Sequence, residues 1–101
     1  MLDHMRFDQA DPVIERWGRL NTVPWCHAYR GEEVRSADFT LSDGTFAQPW
    51  LEPQEDGSIA VCAWDRRARK HNEIASWTNL ESALDRALVV IRSWSPRVDA
   101  V

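Results

Sequence analysis

The sequence predicts an α+β domain: an antiparallel meander of three or four strands with a helix before it and a helix after it. Apolar residues recur at helical spacing near both ends of the chain, and between them they alternate with polar residues as in half-buried strands. Two Asp-Gly pairs, Asp43-Gly44 and Asp56-Gly57, mark tight hairpin turns, because this pair readily adopts a positive φ. At 101 residues, the chain can bury one core without disulfide or metal support.

The first helix is predicted to begin at Asp11-Pro12 and to end within residues 21–24. Aspartate is a favoured N-cap, and proline in the first helical turn loses no hydrogen-bond donor that the helix needs. The apolar face that the spacing predicts consists of Val13, Ile14, Trp17 and Leu20. Residues 1–10, which precede this helix, are expected to form a flexible arm.

Four segments are predicted as strands, the last of them short: residues 34–41, 45–51, 58–65 and 73–77. The segment 58–65 is apolar on both faces, so we expect it at the centre of the sheet. Pro49 cannot donate to a ladder and indicates an edge or a bulge in its strand. The segment that starts at Trp25 reads as a loop or the start of a strand.

The second helix is predicted from a capping box at Thr78–Glu81, in which both side chains satisfy free backbone amides. One apolar stripe follows, formed by Leu80, Leu84, Ala87, Leu88, Ile91 and Trp94. Such a stripe has to pack on an apolar surface, and the sheet is the only large one available. The sequence therefore predicts one domain over residues 11–95 and a tail over residues 96–101.

Charge and hydropathy exclude several classes of protein. Twelve basic and sixteen acidic residues give a net charge of −4, whereas a general nucleic-acid binder normally carries a broad basic excess. No apolar run is long enough to span a membrane, and residues 1–10 contain no apolar signal region. We therefore expect a cytoplasmic protein that binds neither membrane nor, in its main function, nucleic acid.

No arrangement of residues predicts catalysis or a metal site. Cys26 and His27 are adjacent in an extended segment and point to opposite faces, so they cannot easily form a nucleophile and base pair. Together with Cys62 and His71, these two residues make four possible zinc ligands, but their spacing in the sequence is not that of a zinc site. The sequence thus predicts a protein that is not an enzyme, with no cofactor and no metal, and two buried thiols rather than a disulfide.

Acidic and aromatic residues are the candidates for binding a partner. Six tryptophans are predicted to fill the core for the most part, with one or two exposed as anchors for a partner. Charged hairpin turns are usually only solvated, but together they could form a negative face that selects a basic partner. The candidate residues are Glu32, Glu33, Glu52, Glu55, Asp56, Trp25, His27, Tyr29 and Trp50.

A basic turn is the alternative binding element. It spans residues 66–71 and contains Arg66, Arg67, Arg69 and Lys70. Its simplest interpretation is a solvated hairpin tip. The other interpretation is that it holds an acidic protein or a phosphate backbone, which would make the chain a nucleic-acid-associated or regulatory factor.

Several features occur in a recognisable order over residues 13–94. They are a helix with Ile14 and Trp17, the run Trp25–Tyr29, a strand with Val61-Cys62, and a closing helix that starts at Asn79-Leu80-Glu81 and ends in Trp94. In this order of features the chain resembles the Imm53-like family, a group of immunity proteins of bacterial polymorphic-toxin systems. The resemblance implies a non-enzymatic inhibitor that neutralises a cognate protein toxin by covering its active surface, in an oligomeric state that the sequence leaves open.

Overall fold

The computed structural model describes residues 7–95, which form an antiparallel sheet with one helix before it and one after it. The helices are α1 (Asp11–Asn21) and α2 (Leu80–Ser93), and a short 3₁₀ turn (Trp77–Asn79) leads into α2. The strands are β1 (Cys26–Tyr29), β2 (Glu32–Ser36), β3 (Phe39–Thr40), β4 (Phe46–Pro53), β5 (Ile59–Trp64) and β6 (Lys70–Ala75). The predicted α+β class is confirmed, although the sheet has six strands rather than three or four.

The strands follow the order β1-β2-β4-β5-β6, and β3 pairs with β4 beside this path. One row of directly opposed residues crosses all five strands of the path: Cys26, Ser36, Trp50, Cys62 and Asn72. Directly opposed residues share a face of the sheet, so these five side chains lie on the same face. β5 lies between β4 and β6, as its apolar sequence predicts, and its residues 59–63 are buried.

The predicted strand over residues 34–41 is two strands in the structure. β2 ends at Ser36, and β3 begins three residues later as part of the hairpin with β4. Between them, the amide of Ala37 donates to the carbonyl of Pro49 at 3.0 Å. The Asp43-Gly44 turn forms as predicted, with Gly44 at φ 88°.

The strand β1 could not be recognised from a burial pattern, because all four of its residues are exposed. It pairs with β2 through a turn at Arg30-Gly31, where both residues adopt a positive φ, 52° and 83°. A strand at the edge of a sheet with no buried face has no alternation of apolar and polar residues to reveal it.

Helix α2 packs on β5 and β6, and every member of its predicted stripe is buried. The predicted capping box is not formed, because a 3₁₀ turn precedes the helix and no side chain caps it. The Thr78 hydroxyl instead lies 3.0 Å from the Ser76 hydroxyl, and Glu81 pairs with Arg16 of α1. No helix among the described residues has the length and apolar character needed to cross a membrane.

Helix α1 has the predicted bounds but not the predicted cap. A turn at Phe7–Ala10 precedes it, and the Asp11 carboxylate bonds Arg35 of β2 instead of a helix amide. Leu20, predicted on the buried face, is 73% exposed, so the buried face ends at Trp17 and Gly18.

The packed part of the chain starts before the first helix. Phe7 and Ala10 belong to the core, with side chains that are 4% and 0% exposed. The remainder of the predicted arm, residues 1–6, and the predicted tail, residues 96–101, lie outside the described residues.

Candidate functional site

The five predicted carboxylates gather at one end of the sheet. Glu52 follows Trp50 on β4, and Glu33 precedes Ser36 on β2. Because β2 and β4 are antiparallel, both glutamates lie on the same side of the row through Ser36 and Trp50. The β4–β5 turn continues in that direction. We call this region, formed by Glu32, Glu33, Glu52, Glu55 and Asp56, the acidic end.

The predicted basic turn lies at the opposite end of the same strands. It connects β5 to β6, although Lys70 and His71 belong to β6 rather than to the turn. Ala60 of β5 is paired with Glu52, and Trp64 lies four residues further along β5, which corresponds to about 13 Å of strand. We call the region of Arg66, Arg67, Arg69 and Lys70 the basic end. The five candidate carboxylates and the four candidate cations therefore lie at opposite ends of the strands, with Arg30 at the acidic end and Asp65 at the basic end as exceptions.

A groove of about 590 Å³ lies beside the single residue pair that joins β2 to β4. β2 and β4 share no further residue pair beyond Ser36 and Trp50. Toward the acidic end the two strands are therefore not joined by a ladder, and the groove lies between them. Four of the predicted partner-binding residues line the groove: Tyr29, Glu33, Trp50 and Glu52. Its volume falls within the usual range of 300–1,000 Å³ for ligand pockets.

Two half-buried tryptophans of the groove are held in defined orientations. The indole Nε1 of Trp50 donates to Oε2 of Glu52 at 2.5 Å, and Nε1 of Trp64 donates to Oε1 of Gln48 at 2.6 Å. Each bond satisfies the polar atom of its indole, so the ring needs no further polar partner to be placed on the groove wall.

Only one of the two cysteines is buried as predicted. Both are free, and Cys62 is buried as expected, but Cys26 is exposed because it lies on the edge strand β1. Burial, together with the nearby charge of Glu52, raises the pKa of Cys62 to about 11. Cys62 is therefore a protonated thiol at neutral pH, which does not favour nucleophilic chemistry.

The side chains that a Cys-His site would need lie on opposite faces of the sheet. Cys62 is opposed to Asn72, whereas the neighbouring His71 is opposed to Ala63, which packs under α2. Because neighbouring residues of a strand point to opposite faces, His71 is separated from both Cys26 and Cys62 by the sheet. Within residues 7–95, no group of three or more His, Cys, Asp or Glu side chains is placed to hold a metal ion.

Trp25 and His27 lie away from the groove. They line a separate open cleft between α1 and the start of β1, together with Gly18. The ring of Trp25 packs 6.3 Å from the ring of Trp17, measured between centroids, and is half-buried against the core. His27 is exposed. The structure thus assigns Trp25 a packing role and does not bring it together with Trp50.

Two of the four cations at the basic end are engaged within the chain. The guanidinium of Arg66 lies over the ring of Phe46, 4.2 Å from its centroid. Arg69 donates to the backbone carbonyl of Trp94 and lies 3.5 Å from a carboxylate oxygen of Asp65. In the part of the chain that the structure describes, Arg67 and Lys70 make no side-chain hydrogen bond or ion pair.

Gln48 and Trp64 line the groove but are not among the residues that the sequence predicts for binding, and Arg66, predicted in the basic turn, also reaches the groove. A signal was present, because Gln48, Trp50 and Glu52 alternate with period two on β4 and so share a face. Trp64 was expected in the central strand, but only the register shows that it stands opposite Gln48.

Comparison of the chain with protein-family models, with curated proteins and with solved structures gives no significant match.

Proposed function

We propose that this chain is a small non-enzymatic binding protein of the immunity type, which neutralises a cognate protein toxin by covering its active surface. The observation that carries the proposal is the register of the sheet. It gathers the five carboxylates of the acidic end beside a groove that contains Trp50 and Trp64. The resemblance to immunity proteins points the same way and implies a bacterial, cytoplasmic protein.

The acidic end is suited to rapid and selective association. Among the described residues, the exposed side chains of Glu32 and Glu55 make no hydrogen bond or ion pair, so their charge is free to act on a partner. Complementary charge increases the rate of encounter and disfavours wrong partners. Tryptophan is enriched among the residues that dominate binding energy, and a ring already held in place loses little entropy on binding.

Growth of a host cell provides the test. The product of the open reading frame next to this gene is expressed in a heterologous bacterium, with and without this chain. We expect the product to be toxic and the parent chain to restore growth. A variant with all five carboxylates of the acidic end changed to lysine should lose protection. The matched control is R67E/K70E, which reverses charge at the basic end and should still protect.

A second variant guards against misfolding, because Asp56 caps its turn by accepting from the Ser58 amide at 2.9 Å. It neutralises the five carboxylates to Gln or Asn, which keep an accepting oxygen, and its fold is checked by circular dichroism. Equal protection by the parent and by both folded acidic-end variants would contradict the proposal, as would a harmless neighbouring product.

The second candidate is a nucleic-acid-associated factor that uses the basic end. Arg67 and Lys70 favour it, since both are exposed and lack a side-chain partner among residues 7–95. Two phosphate contacts would give a slope of about −1.8 in a plot of log affinity against log salt on duplex DNA. Absence of DNA and RNA binding at low salt, or binding that R67E/K70E leaves unchanged, would exclude it.

A further inference from the structure

We propose that the groove beside Trp50 receives an arginine side chain of the partner, with its guanidinium stacked on the tryptophan rings and paired with Glu33 and Glu52. This inference rests on the proposed function, because the partner in question is the toxin that the acidic end is proposed to cover.

The charge of the groove selects a cation. Three carboxylates line it, those of Glu33, Asp38 and Glu52. Of the two arginines in its lining, Arg35 is 4% exposed and already shared between Asp11 and, at 3.4 Å, Glu33. The remaining one, Arg66, lies over Phe46 toward the basic end. The part of the groove near Glu33 and Glu52 is therefore negative.

The carboxylates there keep free accepting capacity. Glu52 uses Oε2 to accept from the indole of Trp50, and Glu33 uses Oε2 to accept one long bond, of 3.4 Å, from Nη2 of Arg35. An ionised carboxylate offers about four lone-pair positions, so each group can accept further bonds from a guanidinium. The paired charges would then lie beside partly buried rings, where they are less screened than on an open surface.

The rings favour arginine over lysine. A planar guanidinium stacks on an indole face while its edge donates two parallel bonds to a carboxylate. An ammonium group is compact and more strongly hydrated, so it loses more on entering a half-buried site.

The wall of the groove already contains an arginine held by this chemistry, because Phe7 and Arg35 both line it. The guanidinium of Arg35 lies 4.4 Å from the centroid of Phe7, and its Nε and Nη2 donate to Asp11 at 2.6 and 3.1 Å. The groove offers the same combination, an aromatic face with carboxylates, to a side chain from outside. Arg66 would repel a second cation, which places the incoming arginine at the Glu33 and Glu52 side.

The test uses the whole chain labelled with ¹⁵N and a small probe, N-acetyl-arginine N-methylamide. The indole signals of Trp50 and Trp64 are assigned by W50F and W64F, and the probe is added to tens of millimolar. We expect saturable shifts of these two signals with a millimolar Kd, severalfold weaker binding of the lysine analogue, and no saturable shift with the uncharged citrulline analogue.

The variant E33Q/E52Q should bind the arginine probe about tenfold more weakly, because two charge-assisted bonds become neutral ones. Glutamine at position 52 still accepts the Trp50 N–H, so the ring keeps its place. The control E15Q alters an exposed charge outside the groove and should bind like the parent. Equal binding of citrulline, unchanged binding by E33Q/E52Q, or saturable shifts confined to other tryptophans would overturn the inference.

The growth assay separates this inference from the proposed function. If the parent protects and the folded variants E33Q/E52Q and W50A/W64A protect equally well, the arginine site is wrong and the proposed function stands. If the parent gives no protection, the proposed function fails, and with it the assignment of the arginine to a toxin, whatever the probe does. Loss of protection in both variants together with selective binding of the arginine probe supports the inference.

Discussion

Arg35 and Asp11 form an ion pair that joins β2 to the first turn of α1, with Nε of Arg35 2.6 Å from Oδ1 of Asp11. The hydrogen bond from Arg35 to Asp11 raises the pKa of Arg35 above its ordinary value. Arg35 also donates to the carbonyl of Val34 at 2.6 Å, so its buried donors are largely satisfied. This pair fixes the start of α1 against the strand that borders the groove.

Replacing Asp11 with asparagine should lower the free energy of unfolding by about 2–4 kcal/mol, because it removes the closer of two counter-charges from a buried guanidinium and leaves only Glu33, at 3.4 Å. Chemical denaturation with urea measures the change. The control E15Q, on the exposed side of the same helix, should stay within about 0.5 kcal/mol of the parent. A D11N variant as stable as the control would show that the pair contributes little.

Replacing Gly18 with alanine should destabilise the protein by about 1–3 kcal/mol, opposite in sign to the helix preference for alanine. A Cβ at this position would lie 2.7 Å from the carbonyl oxygen of Val23 and 2.9 Å from Cδ1 of Trp25. Thermal and urea unfolding measure the effect. The comparison is S82A on the exposed side of α2, which should be neutral or slightly stabilising. Stabilisation by G18A would contradict the close packing.

The two thiols should differ in reactivity. Cys26 is exposed, so iodoacetamide should modify it readily in the folded protein, whereas Cys62 is 2% exposed and its burial raises its pKa to about 11. Mass spectrometry should find one adduct on the native chain and two after denaturation.

The raised pKa of Cys62 also predicts how stability depends on pH. Because the pKa of Cys62 in the folded state lies above the usual value of 9.0, the unfolded state loses this proton first, and the free energy of unfolding should fall as pH rises from about 9 to 11.

Removing the hydroxyl of Ser95 should return the pKa of Asp43 toward its ordinary value of 3.8 from about 2. The bond from Ser95 is the main cause of the lowered pKa, and bonds from Thr45 add to it. Because the folded pKa lies below the unfolded one, the stabilisation is present above pH 4 and lost as pH falls toward 2. In S95A, the free energy of unfolding should decrease less over this pH range.

A ¹³C titration of the aspartate carboxyls in the parent and in S95A measures the predicted rise in the pKa of Asp43. Asp56 is the internal control, because the Ser58 hydroxyl and amide lower its pKa independently of Ser95. An Asp43 titration that is the same in S95A and in the parent would show that the bond from Ser95 does not control this carboxyl.

The elements with a strong pattern could be predicted from the sequence, and those without one could not. Helix α2 and the central strand β5 have periodic or continuous apolar residues, and both occur where the pattern places them. β1 has no buried residue, and the capping box at Thr78 competes with a 3₁₀ turn. A local motif specifies which bonds are possible, but neighbouring segments decide which are made.

The candidate site was only partly predictable for the same reason. Residue types indicated a negative surface with tryptophans, and the structure brings Trp50 and Glu52 together because they are two residues apart on one strand. Trp25 was selected by the same reasoning, yet it packs against Trp17 and α1. Its role depends on a contact between segments eight residues apart, which composition does not report.

By itself the sequence determined the α+β class, the helix bounds near Asp11 and Ser93, and the surplus of carboxylates, since all of these follow from periodicity and composition along the chain. Only the tertiary structure decided that Glu33 and Glu52 lie at one end of the sheet and that a groove opens beside Trp50. It also decided that Asp11 forms an ion pair with Arg35 instead of capping α1. These relationships depend on strand register and on side-chain packing between distant segments, and register is set jointly by all the strands rather than by any one of them.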